Sequence, residues 1–260
     1  MLNIENLVIN RVVRGTMFDK ATGEVMVSID QITEPSLECS GEQVFTNDAL
    51  GQKIAAFDRS KDAVFSASNA LLNFGLMAAQ LGSDKQIASS ENKFVVPAFE
   101  LIDVTGDAST IDLQYEPYGE LKYIYSTHSD KSKNEKYTVA VEANETAFSI
   151  KGQKITLPTG KFKAGDRVAV WYEREAEDAV KIQNTTTKFA KGGKFVLEVL
   201  TADVCDVNTE YYTYLIFGNA KFDNNTTIGF DNESQHQFTI NAMQDYCSTN
   251  NELFSIIVAK

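Results

Sequence analysis

Residue types that do chemistry are sparse in this 260-residue chain. There are two histidines, His128 and His236, and three cysteines, Cys39, Cys205 and Cys247. His128 sits in the charged loop HSDKSKNEK, and His236 is read as lying at a turn. Neither lies near a GxSxG elbow, so the spacing assembles no Ser-His-Asp relay. No Walker loop and no GxGxxG is present to cradle phosphate or a dinucleotide. Without a CxxC pair the cysteines lack the regular spacing of a structural zinc site. An odd number at wide spacing builds no disulfide framework, so reduced and mostly buried thiols are expected. A metal or redox pair of Cys205 with Cys247 is the sharper alternative, and core thiols are the commoner arrangement. The segment EREAEDA, residues 173–179, clusters four acids. It lacks the alternating ligands of a calcium loop and reads as a solvated strand end. The chain is therefore read as no enzyme, with no catalytic, cofactor-binding or metal position.

The formal net charge is −12, from 36 acidic and 24 basic residues. Faces that grip nucleic acid are basic, so that class is disfavoured. Such a charge serves solubility, or a wall that repels DNA. No apolar run approaches the ~20 residues that cross a bilayer. The opening MLNIENLVINRVVRG lacks the basic and apolar regions of a secretory signal.

The elements that must position any site are almost all strands. Residues 8–13 and 24–29 are rich in β-branched types and flank an ATG turn, which predicts a hairpin. Pro35 within ITEPSLECSGEQVF marks an edge strand or a strand start. NDALG at 47–51 is a turn between that strand and KIAAFD. SNALLNFGLMAAQLG is the one long helix, with Ser68 or Asn69 as N-cap and Gly82 at C′. Leu71, Leu72, Phe74, Met77, Ala78 and Leu81 make it apolar almost all round, so burial is expected. Strands continue through 91–116. Residues 117–183 then hold short strands and turns that lift out as an insertion. The tail returns to long strands. In EYYTYLIFGNAKF, alternation puts Tyr212 and Tyr214 on one face and Tyr211 and Thr213 on the other. Such aromatics more often fill a core or subunit interface than form a carbohydrate platform. No repeat of 20–50 residues is found. The expected fold is mainly β: an antiparallel β-sandwich or barrel at 1–116 plus 184–260, with one buried α-helix and an inserted small β domain at 117–183.

This order of elements resembles the tail-tube (major tail) protein family of long-tailed bacteriophages. It is also similar to the inner-tube proteins of contractile injection systems. The resemblance rests on the acidic hairpin at 37–57, the helix SASNALLNFGLMAAQLG, the run YTYLIFGNAKFDNNTTIGFDNESQHQFTINAMQDY and the final LFSIIVAK. It spans 1–116 and 184–260 and leaves out the insertion. It implies a virion structural protein, assembled in the host cytoplasm, that forms homo-oligomeric rings, usually hexameric. Stacked rings make a tube in which the hairpins of adjacent subunits pair into an inner barrel. Viral DNA passes transiently without specific binding. Other tail proteins are partners, and no membrane or cofactor is involved. On this reading Glu38, Glu42, Asp48, Asp58 and Asp62 are candidates to face the lumen. Leu71, Leu72, Phe74, Met77 and Leu81 are candidates to pack subunits together. Two other readings remain, a capsid decoration or head protein, and a host-surface glycan-binding module using the strand of Trp171 and Tyr172.

Overall fold

A computed structural model describes residues 6–106, 109–128, 130–205, 207–230, 235–246 and 251–259. The chain divides into two compact units, Met1–Lys85 with Ile182–Lys260, and Gln86–Lys181. The first opens with β1 (Leu7–Phe18), β2 (Val25–Ile29), β3 (Ile32–Asn47), β4 (Lys53–Asn69) and the helix α1 (Phe74–Gln80). The second holds β5 (Gln86–Ile87), β6 (Phe94–Asp103), β7 (Thr110–Asp112), β8 (Tyr123–Thr127) and β9 (Lys133–Val139). It continues through β10 (Ala147–Lys151), β11 (Lys154–Thr156), β12 (Arg167–Ala176) and β13 (Val180–Lys181). The chain then completes the first unit with β14 (Gly192–Asp203), β15 (Glu210–Phe222), β16 (His236–Ala242) and β17 (Ser255–Ala259). The fold is mainly β, with antiparallel sheets and a single described helix.

In the first unit the strand order is β2-β1-β14-β15-β16-β4-β3. β15 is long enough to serve two partners, β17 along Tyr212–Ile216 and β16 along Ala220–Phe222. Period-two alternation turns one side of these strands inward. Phe65 sits at the centre, with ring centroids 5.7 Å from Phe195, 6.5 Å from Phe217 and 6.1 Å from Phe238. Met17, Ile29, Leu76 and Ile240 close around them, fully buried. Alternation along β15 holds as expected. Tyr211 is buried, while Tyr212 and Tyr214 stack on the other face at 6.3 Å.

The helix is shorter than the sequence suggests. β4 runs through Ser68 and Asn69, because Asn69 is paired with both Ile32 of β3 and His236 of β16. The N-cap is Asn73, whose side chain accepts the Leu76 N–H at 3.0 Å. Leu71 and Leu72 lie before the helix and are exposed, as is Phe74 in its first turn. Met77 and Leu81 are half-buried. The buried helical positions are Leu76, Ala78, Ala79 and Gln80. Burial is therefore one-sided, not all-round, because a seven-residue helix lying on one sheet has only one covered face. The expected C′ glycine is in place. Gly82 (φ +64°) donates to Ala79 O at 3.3 Å, and Ser83 donates to Ala78 O at 3.0 Å. This pair of bonds is the Schellman closure. A Cβ on Gly82 would also lie 1.9 Å from the Phe189 carbonyl oxygen. Gly82→Ala therefore costs at least the ~1–2 kcal/mol of a left-handed alanine, plus the backbone shift that relieves the collision. An unchanged urea midpoint would contradict this packing.

His236 is not at a turn but begins β16, where only 1% of it is exposed. Its Nε2 lies 2.6 Å from Gln80 Oε1, and Gln80 Nε2 donates to Gln237 O at 3.0 Å. His236 Nδ1 has no partner among the described residues. Burial lowers the imidazole pKa, since the charged ring would lose its hydration. The unfolded chain takes up that proton near pH ~6.5 and the folded chain only below it. Stability from this residue is therefore complete above ~6.5 and lost as pH falls towards the depressed folded value. Denaturant unfolding between pH 7 and 5.5 should show a declining stability that His236→Gln flattens. An identical slope in the variant would refute the assignment.

The cysteine expectation is corrected. Cys39 and Cys205 are free and exposed, because Cys39 lies on a part of β3 that the core does not cover and Cys205 in a turn after β14. Cys247, and with it any pairing to Cys205, lies outside the described residues.

The second unit is a sheet of order β6-β12-β8-β9-β10-β11-β7, antiparallel except for a short parallel β9–β10 pair. Its core holds Ile124, Phe148, Ile155, Val168 and Val170, all fully buried. Its two ends pair with each other, Gln86 with Lys181 and Ile87 with Val180. This unit begins at Gln86, not near residue 117. β6 is in register with β12 over its whole length, from Phe94↔Ala176 to Asp103↔Arg167. That long-range pairing takes the strands of 91–116 into the second sheet. Pro97 sits on β6, which is an edge strand and needs no inner N–H there.

Candidate functional site

The first unit's sheet ends in a projecting arm. β4 pairs with β16 only from Val64 to Asn69. From Lys53 to Ala63 its partner among the described residues is β3 alone. β3 closes the sheet order, so among the described residues no strand pairs with its outer edge, whose N–H and C=O groups are open to a further strand. The paired stretch from Cys39↔Ala63 to Asn47↔Lys53 reaches about 30 Å. A two-stranded ribbon is marginal in water without a further partner.

Local chemistry shapes the arm. At its root the β3 register shifts between Thr33 and Ser36, where Glu34 has φ 51° and Pro35 follows. A second shift lies between Gly41 and Gln43, where Arg59 and Ser60 of β4 stand against Glu42 alone on β3. At the tip Asp48 Oδ1 accepts the N–H groups of Leu50 (2.9 Å) and Gln52 (2.8 Å). Gly51, at φ +82°, completes the reversal that a β-carbon would strain. Apolar side chains stand open along the arm: Phe45, Leu50, Ile54 and Phe57. The Lys53 ammonium lies 3.7 Å from the centre of the Phe45 ring. Phe45, paired with Ala56, and Phe57, paired with Val44, stand on opposite faces, so the ribbon leaves apolar side chains open on both sides.

The five acidic candidates do not form one set. Glu38 pairs with Val64 and Ser40 with Asp62, so Glu38 and Asp62 share the face opposite Leu37 and Phe65. Asp58 accepts a bond from Gln43 Nε2 at 2.8 Å, across the second shift. Glu42 lies within that shift and is exposed. Asp48 is engaged in the turn. Residues 38–62 also carry Lys53, Arg59 and Lys61, so five acids meet three cations and the arm is only mildly acidic (−5 + 3 = −2). The open apolar residues were passed over in the sequence. Their signal was present, as the short apolar runs Val44-Phe45 and Ile54-Ala55-Ala56-Phe57 lie between polar residues.

Among the described residues no group of three or more His, Cys, Asp and Glu is placed to hold a metal. The acids of 173–179 are partly paired, with Lys93 Nζ 2.8 Å from Glu177 and 3.7 Å from Glu175. No described helix is long and apolar enough to cross a membrane.

The profile of the YomU/Tube protein family matches residues 7–256. The chain belongs to that family. The tube family is one of structural proteins, not of enzymes. Its match runs through the second unit as well, so the family character is not confined to 1–116 and 184–260. No curated protein matches the chain.

Proposed function

We propose that this protein is the tail-tube subunit of a bacteriophage virion, and that its arm is the element that closes the ring. The observation carrying this reading is the free arm itself. A ribbon of about 30 Å with two open edges and exposed aromatics is unstable in isolation and complete only when other strands flank it. Edge-to-edge pairing with the arms of neighbouring copies satisfies the backbone and removes both edges, giving an inner barrel. Family membership supplies the tube. Rings of this kind, hexameric by the resemblance, stack into a conduit for viral DNA and meet other tail proteins at its ends.

On this reading Glu38 and Asp62 turn one way around the barrel wall, with Glu42 beside them. The chain's net charge of −12 disfavours adhesion to passing DNA. The exposed bend of Leu71 and Leu72 with Phe74 is the apolar edge that meets a neighbouring subunit, and Met77 and Leu81 lie at its margin. Assembly takes place in the host cytoplasm and the product resides in the virion.

Negative-stain electron microscopy of the purified chain tests the reading, alone and mixed with the tail-tip complex on which tubes are nucleated. Hollow tubes or rings of uniform diameter are expected. A protein that stays monomeric under both conditions would overturn it.

A further inference from the structure

Alternation on β12 sends Val168, Val170 and Tyr172 into the core of the second unit. Trp171 goes to the opposite face, where it is 47% exposed. Tyr172, grouped with Trp171 in the sequence reading, is only 7% exposed and belongs to the core side, meeting the cleft at its wall and not as an open platform. Phe99, the cross-strand partner of Trp171 on β6, lies with its ring 4.7 Å away at 33°. Tyr125 on β8 meets the indole edge-on at 5.6 Å and 81°. Two rings therefore fix the indole while part of its surface remains open.

A cleft of about 500 Å³ adjoins it, walled by Trp171, Tyr118 and Tyr123. The loop carrying Tyr118 is tied to β12 by its N–H, which donates to Glu173 O at 2.6 Å. Below it the Tyr172 hydroxyl accepts the Tyr115 N–H at 3.3 Å and donates to Glu100. The walls are thus held in place before any ligand arrives. The charged groups of the cleft are Glu120 and Glu173 against Lys122 and Lys133, which cancel.

We propose that this cleft binds a neutral oligosaccharide, with one pyranose ring seated on Trp171. A pyranose presents an apolar C–H face and a rim of hydroxyls. It needs a flat aromatic surface bordered by both donors and acceptors, which is what the indole, the carboxylates and the ammoniums supply. Cancelling charges in a chain of net charge −12 select against a polyanion. The volume falls within the ~300–1,000 Å³ of small-molecule sites.

The chain has one tryptophan, so its emission reports this cleft alone. The full chain is titrated with maltohexaose, cellohexaose and chitohexaose, and with polygalacturonate as a polyanion. A saturable emission shift with at least one neutral probe is expected. Tyr118→Ala, in an exposed loop, should weaken that probe about tenfold or more with an unchanged circular dichroism spectrum. Trp171→Ala, followed by calorimetry, should remove binding. The proposal is overturned if no neutral probe shifts the emission, if only polygalacturonate does, or if Trp171→Ala binds as well as the parent. It is equally overturned if the shift appears on concentrating the protein without glycan, since a second copy would then cover the cleft.

Discussion

Replacing residues 42–60 with Asn-Gly yields a protein that folds as stably as the full chain and forms no tube. The new loop joins Gly41 to Lys61, which already face each other in the register. Two residues of this type are the favoured closure of such a hairpin. Every residue removed is exposed except Val44, which is half-buried. The fold therefore gives up almost no buried surface, and the unfolding free energy should move by less than ~0.5 kcal/mol. Assembly depends on the edges that have been deleted. Sedimentation and negative-stain images should show monomers only. Tubes of normal diameter from this variant would sink the role assigned to the arm. A variant that fails to fold would instead show that the arm contributes to the core, against its exposure in the structure.

The second large effect separates folding from assembly at the helix. Leu76 has 0% exposure and packs in the core of the first unit. Leu76→Ala should cost ~2–5 kcal/mol through lost contacts and a residual cavity. Leu76→Asp adds an unpartnered carboxylate in the core. The combined cost is comparable with the whole ~5–15 kcal/mol stability of a domain, so no soluble folded protein is expected. Leu72 is 46% exposed, and Leu72→Asp should shift the unfolding midpoint only slightly. Buried and exposed leucines four residues apart thus predict opposite outcomes. If the Leu71–Leu72 bend meets a neighbouring subunit, Leu72→Asp leaves a stable monomer and abolishes tubes. A Leu72→Asp protein that both folds and polymerises normally would remove this bend from the interface.

Much of the fold is written locally. β-branched residues mark β1, and period-two alternation marks β15, because successive side chains of a strand must face opposite ways. Pro35 marks an edge strand, since it has no N–H to give a second neighbour. Gly51 and Gly82 mark a turn and a helix end, where the chain takes positive φ. The lack of a catalytic or metal-ligating pattern is also a property of the residues and their spacing alone. These signals depend on sterics and hydrogen bonding over a few residues, so they survive without knowledge of the rest.

Tertiary structure decided what depends on distant partners. Asn69 and its neighbours carry helix-capping signals, yet they stay in β4 because Ile32 and His236 pair there. β6 reads like a continuation of the first unit, yet β12, some seventy residues later, draws it into the second. The register shift at Gly41/Gln43 separates Asp58 from the pairing pattern of Glu38 and Asp62, although all three read alike as charged strand residues. Burial of His236 arises only when β16 docks beside α1 and Gln80 reaches it. In each case a long-range strand pairing outweighs a local preference worth ~1 kcal/mol or less, because pairing fixes many backbone bonds and a buried face at once.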